Sequence, residues 1–146
     1  MTTSNILEQK SNILPQPLKA FEMEMLSPNI YVRDMTQTIS FYELLGFQII
    51  VSVPGEKVPI FVLMKSGSVN IMFQSFDSIR GELPAISRTD GGSILLYIKM
   101  KGVRNFYEKI KNTVTVLRGF EKTFYGATEF SILDINNYML TFAEDE

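Results

Sequence analysis

Ser27, Asn29 and Tyr31 alternate with Pro28, Ile30 and Val32 in SPNIYV, a run with strand-like composition. Successive side chains of a strand point to opposite faces, so the three polar groups share one side. The same alternation aligns Asn70, Met72 and Gln74 in VNIMFQ, Ser93, Leu95 and Tyr97 in SILLYI, and Met139, Thr141 and Ala143 in YMLTFA. The chemistry open to such a set is hydrogen bonding by amides, hydroxyls and phenols between apolar walls, the make-up of a small-molecule site. A solvated face would show more Lys and Glu, and a dry core would not gather so many groups that need partners. The alternate positions, Ile30, Val32, Val69, Ile71, Phe73, Ile94, Leu96, Ile98, Leu140 and Phe142, are wholly apolar and suit a sheet face covered by helices.

The chain has no Cys and no His. That removes disulfides, thiol nucleophiles, imidazole bases and the usual nitrogen and sulfur ligands of zinc, iron, nickel and copper. Carboxylates, Lys, Tyr, Arg and oxygen-bound hard cations remain. Lys and Arg total 14 against 16 for Asp and Glu, interspersed, so no global field steers the chain toward nucleic acid or an anionic membrane. Lys99, Lys101, Arg104, Lys109 and Lys111 crowd one segment, but its aromatics follow the apolar stripe, which makes the basic side a solvated helix surface. With no leader-like start and no membrane-length apolar run, the expectation is a cytoplasmic protein.

The 146 residues, 45% hydrophobic, have one domain's length and enough apolar mass for a core. Asp34 is a good N-cap, with Gln37 three residues on, and Met35, Ile39, Tyr42 and Leu45 form a helical stripe that stops before Gly46. Three strand-like runs follow: FQIIVSV, IFVLMKSG and VNIMFQSF. After the connection FDSIRGELPAISRTDGG the order repeats, with SILLYIKM, a helix carrying Val103, Phe106, Tyr107 and Ile110, and the strands TVTVLRGF, ATEFSILD and YMLTFAE. Phe41-Tyr42-Glu43 and Phe106-Tyr107-Glu108 fall in corresponding helices. The pattern predicts an α+β fold of two βαβββ modules, about 25–76 and 92–146 with connection 77–91, pairing into a curled, cup-like mixed sheet with helices outside. Residues 1–24 stand apart as an arm in which SNIL occurs twice, at Ser4–Leu7 and Ser11–Leu14.

NIYVRDMTQTISFYELLGF and TFYGATEFSILDINNYMLTFAE, in this order around a repeat, resemble the vicinal oxygen chelate superfamily, which includes glyoxalases, extradiol dioxygenases, and fosfomycin- and bleomycin-resistance proteins. The resemblance covers about residues 25–145. It implies metal ligands at the positions held here by Ser27, Asn70, Ser93 and Thr141. None of the four is a His or a carboxylate, and together they lack the negative charge that holds a divalent ion against water. Asn137 stands where the family usually has a turn Gly, and Asn tolerates the left-handed backbone required.

The resulting expectation is a metal-free, cofactor-free binding protein of the bleomycin-resistance type that sequesters a small amphipathic molecule, with no assigned catalytic residue. Its ligand-binding set is Ser27, Asn29, Tyr31, Asn70, Met72, Gln74, Ser93, Leu95, Tyr97, Met139 and Thr141. The resemblance also implies a homodimer. Two alternatives stand beside this reading: a metal-independent enzyme using the same cup, and an interaction domain whose cup has filled in.

Overall fold

A computed structural model of the chain describes residues 16–79 and 86–146. The SNIL repeat and the middle of the connection therefore lie outside the described residues. The first module runs β1 (Asn29–Val32), α1 (Met35–Leu44), β2 (Gln48–Val53), β3 (Phe61–Ser66) and β4 (Val69–Ser75), followed by a single turn, α2 (Phe76–Ile79). The second runs β5 (Leu95–Lys99), α3 (Val103–Ile110), β6 (Thr115–Lys122), β7 (Ala127–Leu133) and β8 (Met139–Asp145). The repeat is thus present element for element. Only α2 was not foreseen, and Ser93 and Ile94 precede β5 rather than opening it.

Local chemistry explains where the helices begin. The Asp34 side chain accepts from the N–H of Gln37 at 2.9 Å, capping α1. At α3 the cap comes from a distance in sequence: Glu144 Oε1 accepts from the N–H groups of Gly102 and Val103, at 3.0 and 3.1 Å. This places a carboxylate at the positive end of the helix. Asn137 adopts the expected left-handed conformation, with φ 65°.

Each module forms its own four-stranded mixed sheet, ordered β1-β4-β3-β2 and β5-β8-β7-β6. The first strand of each module runs parallel to the last, and the remaining pairs are antiparallel. Each module's helix covers one sheet face: Tyr42 of α1 packs 4.6 Å from Phe73, and Phe106 of α3 packs 5.0 Å from Phe142, ring centre to ring centre. Val32, Val62, Met64, Phe73, Phe130, Ile132 and Leu140 are all fully buried on those faces, and one continuous apolar cluster spans both modules. Strand parity therefore sends the predicted apolar set to the core in both sheets, except Ile94, which is exposed.

Polar contacts join the modules. The Tyr42 hydroxyl, fully buried, donates to Asp134 Oδ2 at 2.6 Å, and Asp134 Oδ1 accepts the N–H groups of Asn136 and Tyr138, both at 2.8 Å. Asn136 Nδ2 donates in turn to Thr38 Oγ1 on α1 at 3.1 Å. The turn between β7 and β8 is thereby tied to the helix of the other module. On its other side the backbone of Gly91 approaches so closely that a Cβ would lie 2.5 Å from the Asn137 carbonyl oxygen.

Burial, together with the Asp134 carboxylate, pushes the Tyr42 phenol far above its ordinary 10.0. The neutral phenol is the form the native state favours, so its contribution is complete below pH 10 and declines above it, where the unfolded chain ionises. Tyr42→Phe removes a hydrogen bond to a buried carboxylate and is expected to cost about 1–3 kcal/mol at neutral pH. In chemical denaturation, this gap between wild type and variant should narrow by about 1 kcal/mol between pH 10 and about 11.

Candidate functional site

The face of each sheet away from its helix carries the predicted polar set. In the first sheet β1 and β4 pair in register, Asn29 with Met72 and Tyr31 with Gln74, so these four side chains stand side by side. All four are half-buried. Asn29 Nδ2 donates to Gln74 Oε1 at 3.1 Å, and Gln74 Nε2 donates to Ser78 Oγ on α2 at 2.9 Å. The single turn α2 therefore ends an amide relay. Asn29 Oδ1 is buried and has no hydrogen-bond partner, an acceptor left open at the end of the relay. Asn70 lies further along β4 and directs Nδ2 to Met25 Sδ at 3.4 Å.

In the second sheet Leu95 pairs with Met139 and Tyr97 with Thr141. Leu95 and Tyr97 are 43% and 44% exposed, large values for an aliphatic and an aromatic side chain on a sheet. Thr141 is only 3% exposed, and its hydroxyl is paired with that of Ser131 on β7 at 2.8 Å. It is part of the floor of this face, already satisfied. Ser93 is exposed two residues before β5, and Ser27 is half-buried two residues before β1.

Two cavities lie along the seam between the sheets. One, of about 390 Å³, is lined by Asn29 and Tyr31 of β1, Ile94 and Leu96 around β5, Gly91 and Gly92, and Tyr138. The other, of about 250 Å³, is lined by Leu26, Asn70, Leu95 and Tyr97 among others. The predicted residues are thus drawn into a face on each sheet and a seam between them. A cavity of about 430 Å³ opens elsewhere, between the β3–β4 turn and α3, and includes none of them.

Sequence reading missed one group on this surface. Glu129 of β7 registers with Ala143 of β8 and is 4% exposed. Its Oε2 accepts the Tyr97 hydroxyl at 3.1 Å and its Oε1 the Tyr125 hydroxyl at 2.8 Å. The ligand-binding set expected from the sequence contains no carboxylate, and the structure adds one to this face. The signal was available: in ATEFSIL the apolar Phe130 and Ile132 claim the helix side, which sends Glu129 and Ser131 to the other. Burial of the hydroxyl end and the bond to Glu129 push Tyr97 up to about 12, although the residue as a whole is 44% exposed. The hydrogen bond to Glu129, followed by burial, raises Tyr125 as well.

Among the described residues no three His, Cys, Asp or Glu side chains come together in a way that could hold a metal ion. No helix among them is long and apolar enough to cross a membrane. Of the basic residues near α3, Lys99 pairs with Asp145 at 2.9 Å, Lys111 with Glu108 at 2.7 Å, and Arg104 lies over the Phe120 ring at 4.4 Å.

Comparison with known proteins adds three findings. Residues 24–142 match the sequence model of the Glyoxalase/Bleomycin resistance protein/Dioxygenase superfamily. No curated protein sequence matches the chain. Several solved structures share its fold. A glyoxalase/bleomycin resistance protein/dioxygenase family enzyme from Burkholderia phytofirmans PsJN is 23% identical, with a TM-score of 0.68 over 82% of this chain and 97% of that one. A bleomycin resistance determinant encoded on the transposon Tn5 is 20% identical, with a TM-score of 0.60 over 85% and 99%. A bleomycin-binding protein, solved in complex with bleomycin, is 20% identical, with a TM-score of 0.59 over 85% and 100%.

Because the shift of Tyr97 has two named causes, its titration reports on the pair it forms with Glu129. Alkaline absorbance titration should show one tyrosine ionising near pH 12. Glu129→Gln should lower that value toward 10.0 by removing the carboxylate's share, and an unchanged value would mean that burial alone sets it.

Proposed function

The chain belongs to the Glyoxalase/Bleomycin resistance protein/Dioxygenase superfamily, and from that membership we propose that it is a metal-independent small-molecule-binding protein that sequesters an amphipathic compound. Binding of small molecules is supported by the superfamily match and by likeness to bleomycin-binding and bleomycin-resistance proteins. The observation that carries the finer reading is the mixed character of the helix-free faces. Half-buried amides with an open acceptor stand beside Met72 on one sheet, while exposed Leu95 and Tyr97 stand beside Met139 on the other. Removing exposed apolar area from water supplies the attraction, and the amides and hydroxyls orient the ligand.

In this reading Ser27, Asn70, Ser93 and Thr141 do not bind a metal ion. Thr141, satisfied by Ser131, supports the floor rather than contacting ligand directly. The exposed apolar residues of edge strand β2, Ile49, Ile50, Val51 and Val53, support a second copy of the chain as the partner covering part of this surface. We place the protein in the cytoplasm.

Native mass spectrometry after incubation with a library of amphipathic compounds should recover a stoichiometric complex whose ligand is chemically unchanged. Leu95→Glu should abolish the complex with little effect on thermal stability, because the side chain is 43% exposed. Conversion of the ligand over many turnovers would make the protein an enzyme instead. Manganese, nickel or zinc should leave the melting temperature unchanged, whereas a tightly bound ion at a thousandfold excess over its dissociation constant would add about 4 kcal/mol.

A further inference from the structure

The two helix-free faces differ in charge. The first presents amides, whereas the second carries Glu129, buried and held by two phenols. None of the ion pairs among the described residues includes Glu129. The cations near it in register are Arg118 on β6, which pairs with Ser131 across the strands but directs Nη1 to Glu121 at 3.7 Å, and Lys99 on β5, which shares the row of Glu129 through Ala143 but directs Nζ to Asp145 at 2.9 Å. Glu121 itself registers with Glu129, so a second acidic residue borders the first. A carboxylate removed from water without a cationic partner is costly, and two hydrogen bonds from neutral phenols offset only part of that cost.

We propose that Glu129 anchors the cationic head of the ligand, a protonated alkylamine in the simplest case. Each carboxylate oxygen accepts one phenol and keeps another lone pair, so an ammonium group finds acceptors already oriented. Moving along β7 and its neighbour β8, the surface changes from this acidic end through the self-satisfied Ser131–Thr141 hydroxyl pair to Leu133 and Met139, which register with each other and border Leu95. Four residues of strand separate Glu129 from Leu133, roughly 13 Å, so head and tail have distinct places at the scale of a medium alkyl chain.

The proposal rests on the small-molecule reading above and specifies the charge of the ligand's head. Isothermal titration calorimetry with decylamine, decanol and decanoate separates the two. Wild-type protein should bind decylamine at least about tenfold more tightly than decanol, the value of one charge-assisted hydrogen bond, and decanoate no better than decanol. Glu129→Gln should bring decylamine to within about twofold of decanol while decanol binding persists. Glu121→Gln makes the same change in net charge at the exposed neighbour and should keep the preference, which excludes a general field effect. Equal wild-type affinities for decylamine and decanol would overturn the cationic-head assignment even if Glu129→Gln does not fold. So would a preference that survives Glu129→Gln or disappears in Glu121→Gln. Binding of none of the three would overturn the small-molecule reading of this face itself.

Discussion

Asp134 holds the two halves of the molecule together. Its carboxylate is 4% exposed, and that burial raises its pKa even though Tyr42 and two backbone N–H groups pull the other way. An acidic group taken out of water is tolerated where its acceptor sites are filled. Here they are filled from both sides of the junction: Tyr42 comes from the helix of the first module, while the N–H groups of Asn136 and Tyr138 come from the turn that Asp134 itself begins. The Asn136–Thr38 bond adds a second polar link between the same two elements. Because the turn also fixes Tyr138 and approaches Gly91 through Asn137, the network shapes one wall of the seam cavity that contains Asn29 and Tyr31.

The repeat gives two similar backbones and two dissimilar surfaces. Both sheets present Phe, Ile, Val and Leu to their helices, since each buries the same kind of amphipathic helix. The opposite faces are not constrained by that packing. One has become an amide relay running from Asn29 through Gln74 to Ser78, and the other an acidic site flanked by hydroxyls and apolar side chains. A protein that binds a molecule with unlike ends needs this kind of asymmetry, and a duplicated fold supplies it without altering the core.

Residue chemistry bears on metal binding before geometry enters. A chain without His or Cys lacks the usual nitrogen and sulfur ligands, and the positions where the family resemblance implies ligands carry neutral side chains. Glu144, the acid nearest one of those positions in sequence, caps α3 instead. Glu129 has both its oxygens on aromatic hydroxyls, an arrangement better suited to an organic cation than to a metal ion.

The sequence alone determined the elements and their faces. Asp34 begins a helix because its own side chain can cap it, Asn137 turns because Asn tolerates a left-handed backbone, and the alternation in VNIMFQ assigns Ile71 and Phe73 to the core whatever else the chain does. These effects act over a few residues, so they are legible in a few residues. Tertiary structure decided the partnerships. Tyr42 and Asp134 meet across 92 residues, and Tyr97 and Glu129 across 32. Thr141 proved to be a satisfied floor residue rather than an open wall because Ser131 arrives opposite it on β7. Parity could say which side Glu129 faces, but whether its charge would meet water, a cation or two phenols depended on the register of β7 and on a turn that folds Tyr125 back over it. Register and turn placement are set by the packing of the whole sheet, and that information is not carried by any short stretch of chain.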